Sequence, residues 1–191
     1  IQRTRELWPR GARHSPIAAI VLTNGDMDHV LGLFSLRESY PFALYVTAAV
    51  RQGLEQSAFI RTLRRFEGQL VVREMKLDRS IELCDASNQP LGLSVRPFAT
   101  TGKLPVHFVG HAKDSPEDSV GLVFSDGSGG SLCYAAATAS ADVDLSSHDV
   151  VFFDGTFYRE DELVRLGLSK SRAKDMAHVP IDGPNACPNS C

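Results

Sequence analysis

Apolar runs separated by polar, glycine- and proline-rich breaks recur from residue 17 to residue 153. They predict strands over 17–23 (IAAIVLT), 42–47 (FALYVT), 69–75 (QLVVREM), 91–98 (LGLSVRPF), 104–109 (LPVHFV), 119–125 (SVGLVFS), 131–136 (SLCYAA) and 148–153 (HDVVFF). The breaks ASNQP, PEDS and DGSGG carry the turn-forming residues that separate strands. Helical spacing predicts helices over 28–38, 47–57, 57–65 and 159–166. The first of these places Val30, Leu31, Leu33, Phe34 and Leu36 on a broad apolar face.

Segments 17–23 and 148–153 are nearly unbroken apolar runs, as expected of strands covered on both faces. The middle strands follow one another without helices, which predicts an antiparallel meander. Helices flanking such a block point to a layered α/β sandwich rather than a doubly wound sheet. There is no internal repeat, low-complexity segment or inter-domain linker, so residues 1–191 read as a single domain.

Composition narrows the partners. With 20 Lys and Arg against 23 Asp and Glu, the formal charge is -3, which offers no footprint for nucleic acid. The one basic cluster, RTLRR at 61–65, reads as a solvated helix face. No apolar run approaches the ~18–20 residues of a membrane helix. The opening residues also lack the charged-then-apolar order of a secretory signal. Four cysteines do not make a disulfide framework in 191 residues, which favours a reducing, cytoplasmic setting. Cys84 and Cys133 read as buried thiols, whereas Cys187 and Cys191 in ACPNSC leave both pairing and metal binding open.

The densest candidate chemistry lies in IVLTNGDMDHVLGLFSLRE, where an apolar strand runs into a polar turn and then a helix. Asp28 and His29 offer an oxygen and an imidazole nitrogen side by side, a mixture suited to Zn(II) or Fe(II). Asn24 and Asp26 share the turn and can add oxygens or orient the ligands. The bland alternative is that Asp26 or Asp28 caps the helix. Two further segments repeat the theme. VVFFDGTFYREDEL ends a strand on Asp154, and AKDMAHVPIDGP carries His178 with Asp182 nearby.

These segments together resemble the metallo-β-lactamase superfamily, an αββα sandwich whose first motif reads H-x-H-x-D-H after an apolar strand. Here the frame reads Asn24-Gly25-Asp26-Met27-Asp28-His29: the D-H half is kept and both earlier histidines are replaced. DGTF with Asp154 and AHV with His178 resemble two later superfamily elements. Within it, the chain is similar to the pyrroloquinoline quinone biosynthesis protein B family. That likeness rests on RHSPIAAIVLTNGDMDHVLGLFSLRE, PFALYVT, PLGLSV followed by TGK, FFDGTFYREDEL and GLSKSRAKDMAHVPIDGP. Family members open with a Gly-rich strand and a cysteine-rich zinc segment and close on H-I-N-N, whose histidine completes the metal site. None of these is present here, so the resemblance implies an incomplete sandwich lacking N-terminal and C-terminal strands, with an unpaired sheet edge prone to association. Thr100-Thr101-Gly102-Lys103 offers no imidazole at the third motif, and Tyr134-Ala135-Ala136-Ala137 no bridging carboxylate.

These losses disfavour a two-ion hydrolase, which needs ligands for both metals. The resemblance implies a mononuclear Fe(II) or Zn(II) site with Asp28 and His29, and oxidation of a tyrosine-derived group in a Glu–Tyr precursor of the quinone. It also implies Asp154 holding a histidine, with His178 moving a proton or touching substrate. Asn24 and Asp26 would line the pocket, and Lys103 and Arg172 would pair with substrate carboxylates, the bland alternative being a surface lysine and arginine. The rival implied role is a carrier that binds the quinone (or its precursor) on the way to the periplasm. A homodimer is compatible with either. His14, His107, His111 and His148 have no positional support and read as structural or exposed.

Overall fold

A computed structural model describes residues 3–12, 14–38, 40–55, 57–100, 115–138, 144–176 and 178–183. The expected strand 104–109 lies outside them, as do Lys103, His107, His111, Cys187 and Cys191.

Two sheets face each other. The first is parallel throughout, in the order β1 (Ala19–Val21), β2 (Phe42–Thr47), β3 (Leu70–Met75). In the second, β4 (Ile81–Cys84), β5 (Pro90–Ala99), β6 (Val120–Asp126) and β7 (Ser131–Ala135) form an antiparallel meander, expected for β5–β7, and β8 (Val150–Phe153) joins β7 in parallel. Helices α1 (Met27–Val30), α2 (Ala48–Glu55) and α3 (Ala58–Leu63) cover the first sheet, and α4 (Glu162–Arg165) follows β8.

Strand β2 shows why the layers form. Successive strand side chains point to opposite faces, and all six of its residues are buried. Phe42, Leu44 and Val46 pack with Val30, Leu33, Val50, Leu54, Ile60 and Leu63 beneath the helices. Ala43 and Tyr45 face the other way, into a second core with Met75, Leu83, Val95, Val120 and Leu122 between the sheets. There the Tyr45 hydroxyl donates to the Cys84 carbonyl (3.1 Å) and accepts the Cys84 N–H (2.7 Å), pinning one sheet to the other. A third, smaller cluster of Cys133, Ala135 and Leu145 packs with Phe98, Val151 and Phe153.

Cys133 is buried, and that burial pushes its thiol up, whereas Cys84 is only half-buried. Gly121 on β6 makes room for the ring of its partner Phe98 on β5, since a Cβ there would fall 2.0 Å from that ring.

Three differences from the sequence expectations have physical causes. The helix expected over 28–38 is one α turn followed by a 3-10 helix, Leu31–Leu36. Three residues per turn stack Val30, Leu33 and Leu36 above the sheet, and the Gln69 side chain donates to the Leu36 carbonyl (2.9 Å) to end the run. Strand β4 has no counterpart among the expected strands, since IELC is four residues long with a glutamate inside it. The double coverage expected of 17–23 and 148–153 holds for the first, where Ile20 packs under the helices and Ala19 and Val21 between the sheets, but not for the second. Both β1 and β8 are edge strands, and Val150 and Phe152 on β8 are exposed. The core between the sheets takes in β4–β6 and Tyr134 of β7 but no residue of β8, which projects past it.

Replacing Tyr45 by Phe keeps the ring but leaves the Cys84 N–H and carbonyl without their partner between the sheets. Urea unfolding of Tyr45→Phe is expected to show a loss of about 1–3 kcal/mol; an unchanged midpoint and slope would mean that water replaces the hydroxyl.

Candidate functional site

Strand direction brings the polar chemistry to one end of the sandwich. The parallel strands β1 and β2 finish there, as do β5, β7 and β8, and β6 begins there. The register is locked across the two sheets at this end: Val120 N–H donates to the Thr23 carbonyl (2.8 Å), and Asn24 bridges Ser119. Buried polar residues gather at the same strand ends, namely Thr23, Asn24, Thr47, Thr100, Ser119, Thr138 and Asp154. Open α/β sheets bind ligands at the carboxyl ends of their strands for this reason: the chain leaves the sheet and side chains point into the crevice.

The first candidate cluster follows β1. Asn24 is buried, and its Oδ1 accepts the Asp26 N–H (3.0 Å), which closes the turn. Asp26 occupies the N-cap position of α1, but its side chain makes no capping bond to the helix. The cap reading of this stretch therefore has no support from the geometry of Asp26. Val30 anchors the short helix in the core, leaving Asp28 and His29 on the outer side. Their Oδ2 and Nε2 atoms are 3.8 Å apart, with the Asp28 side chain 84% and the His29 side chain 29% exposed. Two donors bound to one ion at about 2.1 Å sit roughly 3–3.5 Å apart in a tetrahedral shell, close to the separation seen here. In kind, this oxygen and nitrogen suit Zn(II) or Fe(II). In number they fall short, since no group of three or more His, Cys, Asp and Glu is poised for a metal among the described residues.

The second cluster follows β8. Asp154 is 2% exposed, and its Oδ1 accepts the Thr156 N–H (3.0 Å) in a tight Asx turn, which is why Asp-Gly-Thr stands at the strand tip. Its Oδ2 meets His178 Nδ1 at 2.5 Å. A carboxylate is an acceptor, so Nδ1 carries the proton of this bond, and Nε2 of a neutral ring is left as the accepting atom. Phe157 lies edge-on to the imidazole, with ring centroids 5.5 Å apart. The backbone fixes the histidine further: His178 N–H donates to the Ala173 carbonyl (3.0 Å), and the N–H groups of Ile181 and Asp182 donate to the carbonyls of Phe157 and Tyr158 (3.0 and 2.8 Å). A buried carboxylate, an oriented imidazole and a partly open ring edge form a unit able to accept or deliver a proton.

The remaining candidates are scattered. Arg172 is exposed, its backbone N–H bonded to Asp175 Oδ2 (2.9 Å), while Lys103 lies outside the described residues. His14 stands edge-on to Tyr40 and accepts the Arg10 N–H, and His148 approaches Ser131 Oγ (3.4 Å). Sequence reasoning missed Thr47, Thr100, Ser119 and Thr138. Thr47 donates to the Glu117 carbonyl (2.7 Å) and accepts the Val50 N–H at the start of α2, and Thr100 donates to Ser119 (3.0 Å). The signal was present, since each stands at or near the end of an apolar run.

The comparisons agree with this architecture. A family model described as a β-lactamase superfamily domain matches residues 1–186, and the chain belongs to that superfamily. More particularly, it is 38% identical to the coenzyme PQQ synthesis protein B of Xanthomonas euvesicatoria over 97% of its length. It is 36% identical to the protein of the same name from Ruegeria pomeroyi over 94% of its length. The crystal structure of Zn(2+)-bound PqqB from Methylobacterium extorquens superposes with a TM-score of 0.80 at 31% identity, covering 97% of this chain. The chain spans 62% of the Xanthomonas relative, 60% of the Ruegeria one and 62% of the Methylobacterium one.

If Asp154 holds His178 as described, nitrogen NMR will show the proton on Nδ1 and a free Nε2 in the neutral ring. Asp154→Ala should abolish that single tautomer, and an unchanged tautomer in the variant would show that something else orients the ring.

Proposed function

We propose that the chain acts in the biosynthesis of pyrroloquinoline quinone, oxidising a tyrosine-derived group of a Glu–Tyr precursor at a single metal ion. The observation that carries this reading is the pair Asp28 and His29, presenting an oxygen and a nitrogen 3.8 Å apart at the end of the sandwich where the strands finish. The likeness to coenzyme PQQ synthesis protein B supports the pathway, and the zinc in the Methylobacterium relative supports a metal. Asp28 and His29 would hold iron or zinc; iron held there would supply oxygen activation.

The chain's own residues supply the rest. Asp154 keeps the His178 proton on Nδ1, so Nε2 can take a proton from a phenolic or catecholic substrate and return it. Asn24 holds the turn that presents Asp28 and His29, and Asp26 stands at the mouth of the same turn. Arg172 and Lys103 would pair with the acid groups of the precursor. No helix among the described residues is long and apolar enough to cross a membrane. The cysteine usage supports a reducing, cytoplasmic setting for the reaction.

The test is a metal-loaded preparation assayed with the precursor. Asp28→Ala and His29→Ala should each lose bound metal and turnover together. His178→Ala should keep the metal and lose about 10²–10⁴ in turnover. Quinone binding that survives metal removal, without turnover of the precursor by the wild type, would contradict the enzyme and establish the carrier.

A further inference from the structure

A cavity of about 400 Å³ opens beside α4, walled by Arg159, Glu160, Asp161, Arg165, Arg172 and Asp182. We infer that it binds a zwitterion, the α-ammonium and carboxylate of an amino-acid group. One wall is braced by the Arg159–Asp182 ion pair (3.6 Å) and by the short parallel pairing of the same two residues. The other four ionic side chains lack such a brace. Arg51 pairs with Glu74 and Arg64 with Glu55, but Arg165, Arg172, Glu160 and Asp161 have no ion pair among the described residues. Glu160 also has one oxygen, Oε1, buried without a hydrogen-bond donor.

Two cations and two carboxylates around one cavity, unpaired with one another, select a ligand of both signs. Arg165 and Arg172 offer planar donor forks to a carboxylate, and Glu160 and Asp161 offer acceptors to an ammonium. A simple dianion would meet the two carboxylates, and a diamine would meet the two guanidiniums. The volume lies within the range of small-molecule sites. The cavity also adjoins the segment that carries His178, since Arg159 and Asp182 continue the pairing that begins at Phe157 and Ile181. The inference rests on the function proposed above for the identity of the natural ligand, whose glutamyl and tyrosyl units carry such groups.

Calorimetric titration of metal-free protein at low salt, with L-glutamate as the probe and glutarate and 1,4-diaminobutane as the single-sign controls, tests it. L-glutamate should bind more tightly than either control. Arg165→Gln with Arg172→Gln should weaken it about ten- to a hundredfold, and Glu160→Gln should narrow the gap between glutamate and glutarate. Circular dichroism establishes that the variants are folded. No measurable binding of L-glutamate, equal binding of glutarate by the wild type, or unchanged affinity in the double variant would overturn the inference. Because no metal and no turnover enter the measurement, a negative result leaves the proposed oxidation standing, and failure of the oxidation leaves this site standing.

Discussion

The join between β1 and β6 sets everything at the functional end. There the Val120 N–H meets the Thr23 carbonyl at 2.8 Å and Asn24 bridges Ser119, so the tip of the parallel sheet is held against the start of a strand in the other. Backbone groups buried at such a point must find partners. The Asn24 side chain then uses its oxygen on the Asp26 N–H, which turns the chain into α1. Without that turn Asp28 and His29 would have no fixed direction. Tyr45, bonded to both the N–H and the carbonyl of Cys84, holds the same two sheets together further from the site.

The second cluster lies in the other sheet and is tied to the first only through the join of β1 to β6. β8 runs parallel to β7, so its carboxyl end falls on the same side as those of β1 and β2. A meander continued by one more antiparallel strand would have put Asp154 at the opposite end. The buried Asp154 carboxylate is satisfied by Thr156 and His178, which makes its burial tolerable and leaves the imidazole oriented.

Much of the fold was legible because the apolar runs were long. FALYVT is β2 over the expected residues, and SVGLVFS and SLCYAA match β6 and β7 within a residue or so. IELC is too short and too charged to stand out, and the 3-10 run after Val30 ends on a bond from Gln69, far away in sequence. HDVVFF reads as doubly buried because the pattern records apolarity, not whether a second sheet extends over the strand. At the site, Asp154 with His178 was legible from the motifs. Thr47, Thr100 and Ser119 were marked only by standing at the ends of apolar runs, and their partners, which lie across loops and sheets, were not legible. The cavity beside α4 was hidden for the same reason: only pairing of 157–159 with 181–182 brings its charges together.

The central claim is that one ion at Asp28 and His29 shares an end of the molecule with the Asp154-held imidazole. Cobalt(II) added to the metal-free protein, followed by proton NMR of the histidines, reads this directly. The account requires strongly shifted His29 signals and broadened His178 signals, with His148 less affected. Cobalt that shifts His14 or His148 while leaving His29 untouched would contradict it.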